Sequence, residues 1–148
     1  MVSFREIQLS DIEILLSMMK DFYAIDNYPI DINTSRELFE TFVQNENLGK
    51  AWLIYNDDQI IGYFVLTFIF SFEYKGRISF LDELYIIENA RGKKMGSKTL
   101  TFIKEQLPLL DVKLLYLEVE KHNDKAQKLY IAADFEFHNR KLMVYKPH

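Results

Sequence analysis

The chain has 148 residues, of which 49% are hydrophobic, and its formal net charge is −4. This length fits one domain over residues 1–148, and the negative charge argues against nucleic-acid binding, which depends on neutralising phosphates. The absence of cysteine excludes disulfides, thiolate nucleophiles and cysteine-ligated zinc, and it fits a reducing compartment. The longest apolar run, residues 60–70, is too short for a bilayer-spanning helix, and the charged N-terminus is unlike a signal peptide. We therefore expect a soluble cytoplasmic protein with no membrane partner.

The first part of the chain predicts a strand followed by two helices. Residues 2–8 have the pattern of a strand. Ser10 and Glu13 have the spacing of a capping box, and a run of apolar residues follows at helical intervals: Ile12, Leu15, Leu16, Met19 and Phe22. A polar loop containing a proline separates this helix from a second, shorter one. Thr34 and Glu37 predict a capping box at its start.

The remainder of the chain alternates between strand and helix patterns. The predicted strands are residues 51–55 and 60–71 in a hairpin, 77–87, 114–120, and a closing pair at 135–140 and 142–146, with helices at 95–106 and 124–133. The strand–helix–strand unit over residues 77–120 favours a parallel pair with a right-handed crossover. Tight turns make the earlier strands antiparallel. The predicted fold class is α/β, with a mixed, mostly antiparallel central sheet and helices on both faces.

A basic loop containing glycines precedes the helix at residues 95–106. Gly92 and Gly96 let the backbone approach a ligand closely. The start of the helix presents unpaired N–H groups and the positive end of the helix dipole. Positive charge comes from Arg91, Lys93, Lys94 and Lys98. This pattern predicts a site for a phosphate-bearing ligand, and a solvated basic turn is the alternative.

Carboxylates within apolar strands are candidates for acid–base chemistry. Asp82 and Glu83 are adjacent, so strand alternation predicts that they face opposite sides of the sheet. Partial burial would raise the pKa of at least one of them towards the useful range for a general base. Glu118 is similar, because it shares a predicted strand face with Tyr116 and Glu120. A carboxylate paired with lysine or facing water at a strand end is the alternative.

A third candidate segment begins at Asn123, which follows a strand at the position of a helix N-cap. Tyr130 lies two turns along the predicted helix, on the same side as Asn123 and Ala126. An ordinary core tyrosine with one hydrogen-bond partner would give the same pattern.

Together these segments resemble the GCN5-related N-acetyltransferase (GNAT) family. The family's pyrophosphate loop, Arg/Gln-x-x-Gly-x-Gly/Ala, is matched at both ends by residues 91–96. Its later motif, Asn-x-x-Ala-x-x-x-Tyr-x-x-x-Gly-Phe, is matched by Asn123, Ala126, Tyr130 and Phe135. The order and separation of the two motifs also agree with the family.

Two positions depart from the family pattern. Lys94 stands where the loop usually has its middle glycine, and a positive φ there would cost energy for lysine. The added charge would partly compensate by meeting a phosphate. Asp134 replaces the glycine after the last helix, and aspartate tolerates the left-handed conformation better than most residues.

The resemblance implies acetyl-CoA as the acetyl donor and a primary amine as the acceptor. No metal is expected, because His122, His138 and His148 lack the spacing of metal ligands. It also implies that the strands at residues 81–87 and 114–120 splay apart. The pantetheine arm would then pair with backbone groups near Leu84, Tyr85 and Ile86, much as an added strand does. The pyrophosphate would bind the loop formed by Arg91, Gly92, Lys93, Lys94, Met95, Gly96 and Ser97. Asn123 would contact the coenzyme arm or orient the acceptor, and Ala126 and Tyr130 of the matched motif are also expected to bind the coenzyme.

Catalysis of this kind needs a base and an acid. An alkylamine is neutral in only about one molecule in a thousand at pH 7, so a proton must leave before attack. Glu83 is the predicted base, directly or through water, with Asp82 and Glu118 as substitutes. Tyr130 occupies the matched position of the acid that protonates the departing coenzyme thiolate.

The resemblance implies an acceptor pocket built by the first two helices, their loop and the central strands, where Asp82 and Glu118 are further candidates for binding the substrate. Tyr23, Asp26 and Tyr28 give this region an acidic and aromatic character that suits a cationic amine. A solvated loop anchored by two tyrosines is the alternative. The segments GYFVLTF and FLDELYI, together with Ser97, are similar to the polyamine and thialysine acetyltransferase branch. A polyamine or lysine-like acceptor is therefore expected, with a protein N-terminus or lysine side chain as the alternative.

A nucleoside-triphosphatase and a non-catalytic sensor are the two alternative classes of function. Residues 92–99 come within one residue of a P-loop pattern, with Ser97 in place of its second glycine. A nucleoside-triphosphatase core would not fit in the rest of the chain, and the Asn123 motif would be unexplained. A non-catalytic acyl-CoA sensor on the same fold is the other alternative, which retention of Tyr130 and Glu83 disfavours. Homodimers are common in the family, and the apolar strands permit one here.

Overall fold

The structure is a computed structural model that describes residues 1–147. In chain order its strands and helices are β1 (Val2–Glu6), α1 (Ile12–Ile25), α2 (Ile32–Val43), β2 (Gly49–Asn56), β3 (Gln59–Ser71), β4 (Gly76–Ile86), α3 (Met95–Leu109), β5 (Leu115–Tyr116) and α4 (Asp124–Ala132). Short 3-10 turns precede α1 and follow β4. The chain forms two compact units, Met1–Glu118 and a second that begins at Val119.

The first unit contains a sheet with the strand order β1-β2-β3-β4-β5. Neighbouring strands from β1 to β4 pair antiparallel, and β4 pairs parallel with β5. A short turn joins β2 to β3, and its Asp57 has a φ of 55°, a conformation that aspartate adopts more readily than most residues. The predicted hairpin and the predicted mixed sheet are therefore confirmed.

Helices cover both faces of this sheet. On one face, α1 buries the apolar side chains that its sequence spacing predicts, and α2 adds Phe39 to the same core. On the other face, the Phe102 ring of α3 stacks on Phe4 at a centroid distance of 4.1 Å and meets Trp52 edge-on at 6.0 Å. Burial of one apolar stripe per helix explains this layering.

The cap at the start of α1 differs from the predicted one. Ser10 lies in the 3-10 turn, and α1 begins at Ile12, so the Ser10–Glu13 capping box is wrong. Instead, the Asp11 carboxylate accepts the Gln8 backbone N–H at 2.8 Å and binds both terminal nitrogens of Arg5 at 2.9 and 3.0 Å. The hydrogen bonds from Arg5 satisfy the buried carboxylate of Asp11. They explain why Asp11, and not Ser10, forms the contacts at the start of α1.

The cap of α2 is also shifted by a few residues. The N-cap is Asp31, whose side chain accepts the Thr34 backbone N–H at 3.0 Å. The predicted box of Thr34 with Glu37 is therefore wrong, because Thr34 already lies inside the helix. Aspartate is at least as good an N-cap as threonine.

The predicted strands after residue 113 are shorter or missing. The strand predicted at residues 114–120 is reduced to Leu115–Tyr116. The closing pair at 135–140 and 142–146 is wrong, since neither segment is a strand in the described part of the chain. The side chains of Leu142 and Val144 are 77% and 79% exposed, so no buried face stabilises a ladder there.

None of the helices in residues 1–147 has the length and apolarity that a membrane crossing requires.

We expect Asp11→Asn to lower the free energy of unfolding by about 1–2 kcal/mol at pH 7, because charge-assisted hydrogen bonds are lost. The hydrogen bonds of Arg5 hold the pKa of Asp11 below its usual value, so the stabilisation exists above the unfolded pKa and is lost as pH falls through the folded one. Urea unfolding of the wild type and the variant, at pH 7 and in acid, measures this difference in the free energy of unfolding.

The matched control is Asp57→Asn, because the Asp57 pair with the N-terminus is largely exposed and contributes little. Equal losses in the two variants at pH 7 would contradict the role of Asp11.

Candidate active site

The centre of the candidate site is the place where β4 and β5 part. Their pairing consists of Ser79 with Leu115 and Phe80 with Tyr116. Beyond Phe80, β4 continues to Ile86 while β5 has ended. The predicted splayed strand pair is therefore present, and it leaves one edge of β4 without a strand partner.

The register of β4 with β3 determines which backbone groups lie at this edge. The Ile87 N–H donates to the Ile61 carbonyl at 2.8 Å. Hydrogen bonding alternates along an antiparallel pair, so the backbone of Tyr85 faces β3. The backbones of Leu84 and Ile86 then face the open edge. Of the three residues predicted to offer their backbone there, Tyr85 does not.

A β-bulge in β4 lies beside the candidate base. Val65 pairs with Glu83 and Leu66 with Leu81, so Asp82 is the extra residue of the bulge. The strict alternation that placed Asp82 and Glu83 on opposite sides of the sheet is broken at this point. Bulges redirect side chains and are frequent beside active sites.

Glu83 is held by two tyrosine hydroxyls. Tyr23 on α1 donates to Oε2 and Tyr63 on β3 donates to Oε1, each at 2.6 Å. Burial raises the pKa of Glu83, the two hydrogen bonds oppose this rise, and the charge of Asp82 adds to it. Such a carboxylate is suited to accepting a proton near neutral pH.

Tyr63 is a site residue that the sequence analysis missed. It lies in an apolar strand, its side chain is fully buried, and it pairs across the sheet with Tyr85. A tyrosine within an apolar strand could have indicated a polar neighbour, since the hydroxyl of a buried phenol needs a hydrogen-bond partner. Identifying that partner required the register of β3 with β4.

The basic loop contains two residues in the left-handed conformation. Gly92 and Lys94 have φ values of 80° and 64°, so the glycine position of the family loop is left-handed here although lysine occupies it. Lys94 is the N-cap of α3, and its side chain makes no capping hydrogen bond. The exposed residues around the turn include Lys93, Lys94 and Ser97. These features together suit a phosphate group.

Arg91 connects this loop to the open edge of β4. Its Nε donates to the Ile86 carbonyl at 2.8 Å, and its guanidinium carbon lies 5.7 Å from the centre of the Tyr85 ring. Arg91 therefore fastens the loop to the end of β4, in addition to supplying charge.

Other predicted residues of the first unit are more scattered. Tyr28 is 54% exposed, and its backbone N–H donates to the Tyr23 carbonyl at 2.9 Å. Asp26 is exposed in the turn after α1. Glu118 is exposed beyond the end of β5, so the strand face it was predicted to share with Tyr116 does not form.

The second unit contains the Asn123 and Tyr130 motif. Asn123 is the N-cap of α4, and its Oδ1 accepts the Ala126 backbone N–H at 3.0 Å, which confirms the predicted cap. The Tyr130 ring lies edge-on to Phe135 at 5.7 Å, and burial raises the pKa of Tyr130. Asp134 has a φ of 72°, the left-handed conformation expected at the position where the family has glycine.

Among residues 1–147, no group of three or more histidines, aspartates or glutamates is placed to hold a metal ion.

Sequence comparison finds one matching family and a full-length relative. The sequence model described as the Acetyltransferase (GNAT) family matches residues 14–135. The uncharacterized N-acetyltransferase YhfO of Bacillus subtilis (strain 168) is 23% identical over 135 residues, which cover 91% of this chain and 90% of the relative.

Solved structures share the fold. An integron cassette protein from the mobile metagenome of Cole Harbour Salt Marsh is 29% identical, with a TM-score of 0.86 and coverage of 97% of this chain and 89% of its own. A predicted acetyltransferase with acetyl-CoA from Clostridium acetobutylicum is 18% identical, with a TM-score of 0.82 and coverage of 98% and 96%.

We expect Lys94→Gly to be more stable than Lys94→Ala by about 1 kcal/mol, because only glycine adopts the left-handed conformation without strain. Both variants lose the charge, so their difference reports the backbone alone. Chemical unfolding at equilibrium measures it, and equal stabilities would show that the loop relaxes when Lys94 is replaced.

Proposed function

The chain belongs to the acetyltransferase (GNAT) family, and we propose that it transfers the acetyl group of acetyl-CoA to a primary amine. The observation that carries this proposal is the partly buried Glu83 carboxylate, held by two phenols beside an open edge of β4. Such an edge can pair with the amide groups of an extended ligand, while the carboxylate can accept a proton. The acetyl-CoA associated with the Clostridium acetobutylicum structure supports the same co-substrate here.

The first unit has separate features for the two ends of the coenzyme. The backbone groups of Leu84 and the N–H of Ile86, whose carbonyl already accepts from Arg91, are suited to pairing with the pantetheine arm, as in the addition of a strand. The first turn of α3 and the side chains of Lys93 and Lys94 are suited to the pyrophosphate. When bound, acetyl-CoA would supply the activated thioester.

Glu83 is the proposed base. The acceptor amine attacks only after losing its proton, and a carboxylate whose pKa is raised by burial accepts that proton more readily than an exposed one. Direct attack of the amine also fits a chain that has no cysteine nucleophile.

Tyr130 is the proposed acid that protonates the coenzyme thiolate. Its role comes from its position in the family motif with Asn123 and Ala126. A tyrosine phenol is protonated at neutral pH, and burial raises the pKa of Tyr130 further, so it holds the proton that an acid of this kind donates.

The proposed acceptor is a small cationic amine, polyamine or lysine-like. Negative charge lies near the ring of Tyr85. Burial raises the pKa of Tyr85, the charges of Asp21 and Glu88 raise it further, and the positive charge of Arg91 opposes this rise. The carboxylates of Asp82 and Glu83 contribute further negative charge near Tyr23. A negative field lined by aromatic rings favours a cation.

Release of free thiol from acetyl-CoA, measured across polyamines, lysine analogues, aminoglycosides and short peptides, tests this function. We expect release with the polyamines or lysine analogues and none when the amine is omitted. Release with peptides alone would replace the small acceptor by a protein one. Binding of acetyl-CoA without release for any amine would instead indicate a sensor.

We expect Tyr130→Phe to lower kcat by about 10²- to 10⁴-fold, the usual contribution of one acid–base group. The ring and its contact with Phe135 are retained, so the packing of α4 should be preserved and the loss should reflect the missing hydroxyl. Tyr145→Phe is the control, since Tyr145 is 82% exposed. An unchanged rate in Tyr130→Phe would exclude Tyr130 as the acid.

A further inference from the structure

Two elements distant in sequence converge on one carboxylate. Tyr23 comes from the last turns of α1 and Tyr63 from β3, and they donate to different oxygens of Glu83, each at 2.6 Å. With both oxygens engaged, rotation of the carboxylate would break at least one hydrogen bond. The arrangement therefore restrains the orientation of the group as well as its location.

The two phenols are held firmly by their own packing. The Tyr63 side chain is 0% exposed, and its ring lies 6.1 Å from that of Tyr85. The Phe22 ring lies edge-on to both phenols, 6.0 Å from Tyr23 and 6.4 Å from Tyr63. Rings packed in this way keep their hydroxyls aimed in one direction.

Both phenols also remain hydrogen-bond donors at neutral pH. Burial raises the pKa of Tyr63, and the negative charge of Glu83 raises it further. Burial and the hydrogen bond to Glu83 likewise raise the pKa of Tyr23. Neither hydroxyl ionises in the range where an amine acetyltransferase would work, so Glu83 keeps both donors.

We propose that Tyr23 and Tyr63 are positioning residues that clamp the two oxygens of Glu83 and keep it ready to accept the proton of the acceptor amine. This inference rests on the proposed function of Glu83 as the base. Neither tyrosine needs to touch the substrate, because each acts through the carboxylate.

The clamp predicts a particular dependence on pH. The groups that act on Glu83 are Tyr23 from α1, Tyr63 from β3 and the neighbouring Asp82 from β4. Burial and Asp82 favour protonated Glu83, while the phenols favour the charged form because they donate to it. Removing either hydroxyl should therefore move the protonation of Glu83 to higher pH.

The test uses Tyr63→Phe and Tyr23→Phe, which remove one hydroxyl each and keep the rings. The matched control is Tyr55→Phe, since Tyr55 lies on β2 and its hydroxyl accepts from Arg5 at 3.0 Å, away from Glu83. Protonation of Glu83 is followed by NMR of protein with ¹³C-labelled glutamate carboxyls and no substrate. The Glu83→Gln variant identifies the resonance.

In Tyr63→Phe we expect the Glu83 titration to move up by about one pH unit, the size that one hydrogen bond to a charged group gives. A smaller move is expected in Tyr23→Phe, because water can replace a hydroxyl that is only half-buried. The acidic limb of the profile of kcat/KM against pH should move with it. Tyr55→Phe should change neither, and comparison on one acceptor cancels the titration of the amine itself.

Three results would overturn the inference or part of it. An unmoved Glu83 titration in both variants would show that the hydroxyls do not clamp the carboxylate. A moved titration with an unmoved kinetic limb would remove the positioning role in catalysis. A wild-type protein that releases no thiol with any amine would overturn the proposed function, whereas the NMR titration would still decide whether the clamp exists.

Discussion

The candidate site depends on the short pairing of β4 with β5. Backbone N–H and C=O groups almost always find partners, so the groups of an open strand edge bind water until another chain or an extended ligand pairs with them. Here the pairing stops at Phe80, and β4 continues to Ile86. The open edge and the basic loop at the start of α3 are joined by the hydrogen bond from Arg91 to Ile86. An extended ligand that ends in phosphates would satisfy both.

The bulge at Asp82 has a related consequence for the carboxylates. An extra residue in β4 shifts the phase of the side chains, so Glu83 lies where Tyr23 and Tyr63 can reach it. A buried carboxylate without such donors would stay protonated at neutral pH. With two donors it can be partly buried and still lose its proton, as a base near an amine substrate requires.

How far the sequence predicts this structure depends on whether the signal is local. The spacing of Leu15, Leu16 and Met19 along α1 and the turn between β2 and β3 were predicted, because periodicity and turn residues act within a few positions. The predicted helix caps lay within three residues of the observed ones at Asp11 and Asp31. Even this small error changes which side chain forms the capping hydrogen bond.

Long-range pairing accounts for what was missed in the site. The Glu83 carboxylate was a candidate from its apolar neighbours, but Tyr63 is twenty residues away, and only the register of β3 with β4 brings them together. The bulge is invisible in the sequence of β4 alone, since it exists only relative to Val65 and Leu66. The closing strands were predicted from alternation, which does not show whether a buried face is available.

Lys94 illustrates how a local conflict can indicate function. A lysine at a φ of 64° carries a conformational cost of about 1–2 kcal/mol relative to the right-handed region. Glycine would avoid that cost at the same position, as the family loop shows. Strain of this kind persists where the surrounding structure or a ligand compensates for it. Lys75, in the turn between β3 and β4, has a φ of 63°, so a left-handed lysine does not by itself indicate a ligand. At the start of α3, however, the cation of Lys94 would add charge to the proposed phosphate site, which glycine would leave to backbone groups alone. A bound phosphate would therefore offset the strain at Lys94 in a way that has no counterpart in glycine.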